Sequence, residues 1–170
     1  MNRRQALQNL ALISAGIALL PACDFETWPE YEHIPLESDH KKLIKWLTEA
    51  IIPKGEIEIA TPEPRAHFVL TMVNDCYESE DIEKYRTGIQ NLAQHLKEAG
   101  TGSLKGLNPE ESDQLIVQLI GDESLDENIR YFLQNTRRLS IQHFTSSQYF
   151  MENHLDFHFI PGWYNGCVQV

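Results

Sequence analysis

Apolar positions along this chain recur three and four residues apart, the spacing of one helix face, and proline, glycine and small polar residues interrupt them at helix-length intervals. Leu43, Ile44, Leu47, Ala50 and Ile51 form the first such face, with Ser38 as its expected N-cap and Pro53 as its stop. Residues 54–61 read as a connecting loop. Thr61 and Pro62 then read as a cap and a first-turn proline, ahead of Ala66, Val69, Leu70, Val73 and the Cys76-Tyr77 pair. Ser79 is the expected cap of a third helix, which carries Ile82, Tyr85, Ile89, Leu92, Ala93 and Leu96 on one side and stops at Gly100.

The clearest start signal is Asn108-Pro109-Glu110-Glu111. Asparagine caps, proline occupies the first turn, and Glu111 stands where it can reach back as in a capping box. Leu115, Ile116, Leu119 and Ile120 follow as the stripe, closed by Gly121. A long last helix is expected over about 125–150, with Ile129, Phe132, Leu133, Leu139, His143 and Phe144 facing inward. After Glu152 the pattern breaks, and residues 153–170 read as an irregular aromatic tail. No alternating run of strand length is present. The pattern predicts an all-α fold, a single compact domain of about five helices.

The first 23 residues follow a different logic. Arg3 and Arg4 precede an uncharged apolar run over residues 10–20, which leads into Leu20-Pro21-Ala22-Cys23. A positive start, a short apolar stretch and a small residue at a cleavage point make a secretory signal. The run is well short of the roughly 20 residues needed to span a bilayer. The arginine pair resembles a twin-arginine signal. Leu20-Pro21-Ala22-Cys23 resembles a bacterial lipobox, in which Cys23 is lipidated and becomes the mature first residue. Residues 1–22 are therefore expected to be an export signal, residues 23–37 a tether and residues 38–170 the helical domain. The expected location is the periplasmic side of a membrane, reached through a lipid anchor.

Charge narrows the partners. The chain carries 14 Lys+Arg against 25 Asp+Glu, a formal −11. Removing residues 1–22 takes away Arg3 and Arg4 and no acid, so 12 against 25 leaves −13. Such a balance argues against binding a nucleic-acid backbone, which needs clustered Lys and Arg. It also opposes electrostatic attachment to anionic lipid, leaving an acyl group as the membrane contact.

Candidate chemistry is sparse. No haem-attachment CxxCH, GxGxxG or P-loop is present, and two cysteines beyond Cys23 cannot supply the four thiolates of an iron–sulfur cluster. No cofactor is expected on this chain. His154 and His158 are four apart, and His143 lies within reach of them, so a metal site of three histidines is the weaker alternative to surface and packing roles. Ser146 and Ser147 lack the glycine elbow and triad order of a nucleophilic serine. Arg137 and Arg138 are unusual in so acidic a chain, and either an internal bridge or a bond to a partner or the tail would account for them. Cys76 and Cys167 would sit in an oxidising compartment, where they can pair, bridge to a partner chain or stay free.

Several stretches together resemble the gluconate 2-dehydrogenase subunit 3 family. They are Ala50-Ile51-Ile52-Pro53, Thr61-Pro62, Asn74-Asp75-Cys76-Tyr77, Leu107-Asn108-Pro109-Glu110, Tyr131-Phe132-Leu133 through Arg137-Arg138-Leu139, Phe144-Thr145-Ser146-Ser147, and the tail Pro161-Gly162-Trp163-Tyr164-Asn165-Gly166-Cys167. Where the family commonly has Gly-Tyr before Phe-Thr-Ser, this chain has Gln142-His143. The resemblance implies a helical, non-catalytic subunit that binds a large FAD-containing flavoprotein of the glucose–methanol–choline type. That partner oxidises a sugar, sugar acid or related alcohol and passes electrons to a cytochrome c or the quinone pool. It further implies Arg137, Arg138, Phe144, Trp163 and Tyr164 as partner-binding candidates, and Cys76 as the simplest partner of Cys167. A stand-alone helical lipoprotein acting as a scaffold is the competing function.

Overall fold

The computed structural model describes residues 28–53, 55, 61–99, 107–155, 157, 158, 160 and 162. Six helices lie within them: α1 (Ser38–Ile51), α2 (Arg65–Cys76), α3 (Ser79–Glu98), α4 (Pro109–Gly121), α5 (Glu127–Thr145) and α6 (Gln148–His154). No strand is present among the described residues. The all-α expectation holds, with one helix more than the periodicity suggested.

The extra helix comes from a break in the expected last one. Thr145, Ser146 and Ser147 each turn a hydroxyl onto the backbone: Thr145 Oγ1 donates to the Ile141 carbonyl at 3.0 Å, Ser146 Oγ to His143 at 3.3 Å and Ser147 Oγ to Phe144 at 2.7 Å. Hydroxyls placed this way compete with the helical ladder. Ser147 then caps α6 by accepting from the Phe150 N–H at 3.3 Å.

Helix starts follow the backbone more than the expected cap residues. Ser38 and Ser79 are the first helical residues, and Glu37 and Glu78 hold the cap positions without a side-chain bond. The Thr61-Pro62 start is displaced to Arg65. Pro64 keeps Glu63 out of helical geometry, so the first helical carbonyl is that of Pro64, which accepts from His67 and Phe68. Thr61 instead donates to the Glu63 carbonyl at 2.9 Å. The capping box of α4 forms as read: Glu111 N–H donates to Asn108 Oδ1 at 2.8 Å, and Asn108 N–H donates to Glu111 Oε2 at 2.9 Å.

The core centres on the α3–α5 pair, the most extensive helix contact. Gly88 lets the two helices close, because a Cβ there would lie 2.2 Å from the Asn128 carbonyl oxygen and 2.6 Å from Phe132 Cβ. Tyr85 and Phe132, both fully buried, meet edge to face with ring centroids 4.9 Å apart. The Tyr85 hydroxyl shares a 2.8 Å hydrogen bond with Thr136, which is also fully buried. Around this pair, α1 packs on α2, α3, α4 and α5, and α6 rests against the end of α5.

Within the stretch expected to be a tether, residues 28–36 are part of the domain. Ile34 is 1% exposed and joins the core, Trp28 packs edge-on against His67 at 4.6 Å, and the His33 N–H donates to Asn74 Oδ1 at 2.9 Å. Burial pushes the Tyr31 hydroxyl up to about 12. The sequence shows no periodicity here because the strap is held residue by residue rather than as a repeating element.

Candidate functional site

The last turns of α5 gather the residues on which function was expected to rest. His143 is buried. Its Nε2 lies 3.2 Å from the Glu63 carbonyl oxygen and its ring is 5.1 Å from that of Phe68, so it ties α5 to the start of α2. Burial holds its pKa below the ordinary histidine value, the bond to Glu63 opposing this and nearby Arg65 adding to it. Its Nδ1 has no hydrogen-bond partner among the described residues, and neither has Ser140 Oγ one turn earlier.

The three histidines do not converge. His154 is exposed on α6, its ring 5.0 Å from Phe150 and 6.0 Å from Tyr149, and His158 is exposed beyond the helix. Among the described residues, no group of three His, Cys, Asp or Glu side chains could hold a metal ion. Their four-residue spacing would put His154 and His158 on one face only if a helix ran through both, and α6 ends at His154.

Arg137 and Arg138 have different fates. Arg138 donates to the Tyr77 hydroxyl, which in turn donates to Asn135 Oδ1 at 2.8 Å, while Asn135 Nδ2 donates to the Tyr131 carbonyl at 2.9 Å. This relay fastens α5 to the C-terminal end of α2. Arg137 is exposed and its side chain makes no hydrogen bond or ion pair among the described residues; the side chain of Arg130, two turns earlier, is in the same condition. Phe144 is half-buried, with its ring edge-on to Phe150 at 5.4 Å. Cys76, the last residue of α2, is exposed and forms no disulfide among the described residues. Its proposed partner Cys167 lies outside the described residues, as do Arg3, Arg4, Cys23, Trp163 and Tyr164.

Arg65 was not singled out from sequence. Its Nη1 donates to the Thr48 carbonyl at 2.7 Å and the Ile52 carbonyl at 2.8 Å, satisfying carbonyls at the C-terminal end of α1. Burial lowers its pKa from the usual guanidinium range. No local signal marks it, since its partners lie 13 and 17 residues back.

No described helix is long and apolar enough to cross a membrane. Apolar side chains stand exposed beyond α6: Leu155, Phe157 and Ile160, with Phe157 and Ile160 lining an open hollow beside Glu152 and His158. A family model described as gluconate 2-dehydrogenase subunit 3 matches residues 38–162, well over half of the chain. The chain belongs to the gluconate 2-dehydrogenase subunit 3 family. No curated protein and no solved structure matches it. For a member of this subunit family, association with the catalytic subunit of a dehydrogenase is implied. The matched segment begins at the first residue of α1 and includes all six helices, so it holds Arg130, Arg137 and His143 but not the arginine pair or Cys23.

Proposed function

We propose that this chain is the accessory subunit of a flavin-dependent dehydrogenase of the glucose–methanol–choline type, which it binds, helps to export and anchors to a membrane. The partner carries FAD, oxidises a sugar or sugar acid, and hands electrons to a cytochrome c or the quinone pool. This chain contributes binding surface rather than reacting groups. The observation that carries the reading is the family match across all six helices. The N-terminal sequence supports the export and anchoring parts: Arg3 and Arg4 as the folded-export signal and Cys23 as the lipid site on the periplasmic side.

The test is recovery of the tagged full-length chain from its native membrane. A flavoprotein with FAD absorbance is expected to come with it, and its absence from repeated preparations defeats the reading. Replacing Arg3 and Arg4 with lysine is expected to leave both proteins in the cytoplasm. Cys23→Ala is expected to shift the exported pair from the membrane to the soluble fraction; if neither substitution changes fractionation, the export and anchoring role is wrong.

A further inference from the structure

Acids are spread along most of this chain, with one exception beyond the leader. Residues 128–151 contain no Asp or Glu at all, the longest such run in a sequence that has 25 acids among 170 residues. The same run contains Arg130, Arg137 and Arg138. On α5 it makes one helix cationic in a molecule of formal charge −11.

The structure shows which part of that charge is committed to the fold. Arg138 is held by Tyr77. The side chains of Arg130 and Arg137 have no hydrogen bond or ion pair among the described residues. Three cations elsewhere are paired: Lys42 with Asp39 at 2.9 Å, Lys84 with Glu80 at 2.9 Å and Arg86 with Glu83 at 2.7 Å, each within its own helix. These three cations are thus neutralised at i,i+3 or i,i+4 spacing, whereas Arg137 has no acid at those positions and the Arg130 side chain pairs with neither Glu127 nor Asp126, three and four residues before it.

Spacing turns the two arginines into a surface. Arg130, Gln134, Arg137 and Ile141 follow one another at intervals of four, three and four, so they share one stripe. All four are exposed, and Ile141 is 41% exposed, unusual for an isoleucine on a helix that buries Ile129, Phe132, Leu133 and Leu139. At 1.5 Å per residue the stripe is about 16 Å long. Arginines beside an exposed aliphatic residue are a composition typical of protein interfaces, since the guanidinium is weakly hydrated and grips carboxylates in a bidentate fork.

We propose that the outward stripe of α5 formed by Arg130, Gln134, Arg137 and Ile141 docks this subunit onto an acidic patch of the catalytic dehydrogenase subunit. This rests on the accessory-subunit reading above and adds where the contact lies and what the partner must present there. Charge selects the occupant. A second copy of this chain also has acids to offer, but two copies of formal charge −11 repel as they approach, whereas a partner with a local carboxylate cluster need not be acidic as a whole.

The experiment is recovery of the flavoprotein from the native membrane with tagged full-length chain, wild type or Arg130→Glu/Arg137→Glu, washed from about 0.05 M to about 0.5 M salt. The reversal is expected to reduce the flavoprotein recovered by roughly tenfold or more, because it sets like charges against each other. Wild-type recovery is expected to fall as salt rises. Lys97→Glu, on α3, serves as the control and is expected to behave as wild type. The neutral pair Arg130→Gln/Arg137→Gln is expected to give an intermediate loss, and it carries the test should the reversal not fold. Wild-type recovery by the charge-altered chains at every salt concentration overturns the proposal, as does a change in the chain's own oligomeric state on Arg130→Glu/Arg137→Glu without loss of flavoprotein. If the wild-type chain recovers no flavoprotein, the accessory-subunit reading itself has failed.

Discussion

The middle of α5 and its C-terminal end are built on the same helix and differ in how completely their polar groups are satisfied. At the middle, Thr136 is fully buried and bonded to Tyr85 at 2.8 Å, and Gly88 brings the α3 backbone against Asn128 and Phe132. Two turns on, His143 and Ser140 are also buried, yet His143 Nδ1 and Ser140 Oγ lack partners among the described residues. Buried polar atoms without partners cost free energy that paired ones do not. The middle is therefore specialised for holding the fold. The end gives up part of that stability, and it is there that a hydroxyl-rich break turns the chain into α6.

This contrast predicts a graded response to perturbation. Gly88→Ala strikes the middle hardest. The new Cβ has nowhere to go against a backbone oxygen, so a loss of about 2 kcal/mol or more is expected in chemical denaturation despite alanine's better helix propensity. A variant as stable as wild type would mean that α3 and α5 do not approach this closely. Tyr85→Phe keeps the ring packing but leaves the Thr136 hydroxyl buried and unpaired, for an expected loss of about 1–2 kcal/mol; Thr136→Val on the same background should recover part of it.

The end of α5 should answer to pH. His143 has its pKa lowered in the folded state, chiefly by burial, so between that value and the unfolded value near 6.5 the unfolded chain binds more protons. The stability from neutral His143 is fully present above pH 6.5 and declines as pH falls toward the folded pKa. Comparing melting temperatures of wild type and His143→Phe from about pH 8 to pH 5 isolates this share. A difference between them that is constant across the range would contradict the burial argument. The smallest effect is reserved for the outer face: Arg137→Glu in the isolated chain should move stability by less than about 0.5 kcal/mol. A larger loss would show that Arg137 serves the fold after all.

Much of this architecture was legible from residue order alone, and the misses share a cause. The buried faces of α1 to α5, including Ile129, Phe132, Leu133 and Leu139 on α5, follow from period, and the Asn108–Glu111 box follows from four consecutive residues. The start of α2 was misplaced because Thr61-Pro62 carries a valid cap signature, and Pro64 overrides it only through its effect on Glu63. Residues 28–36 read as a tether because packing that is not periodic leaves no pattern to read. For the candidate surface, the sequence marked Arg137 and Arg138 together and passed over Arg130, although the acid-free run around all three was visible.

By itself, then, the order of residues determined the helical class, the inward faces, the capping box and family membership, since each depends on neighbours within a few turns or on a recurring order of motifs. Tertiary structure decided which cations are spoken for. Adjacent helical residues point about 100° apart, so Arg138 faces Tyr77 at the end of α2 while Arg137 faces outward, and no local rule distinguishes them until α2 is packed in place. The same holds for Arg65 and His143, whose carbonyl partners on other elements are brought near only by the bundle.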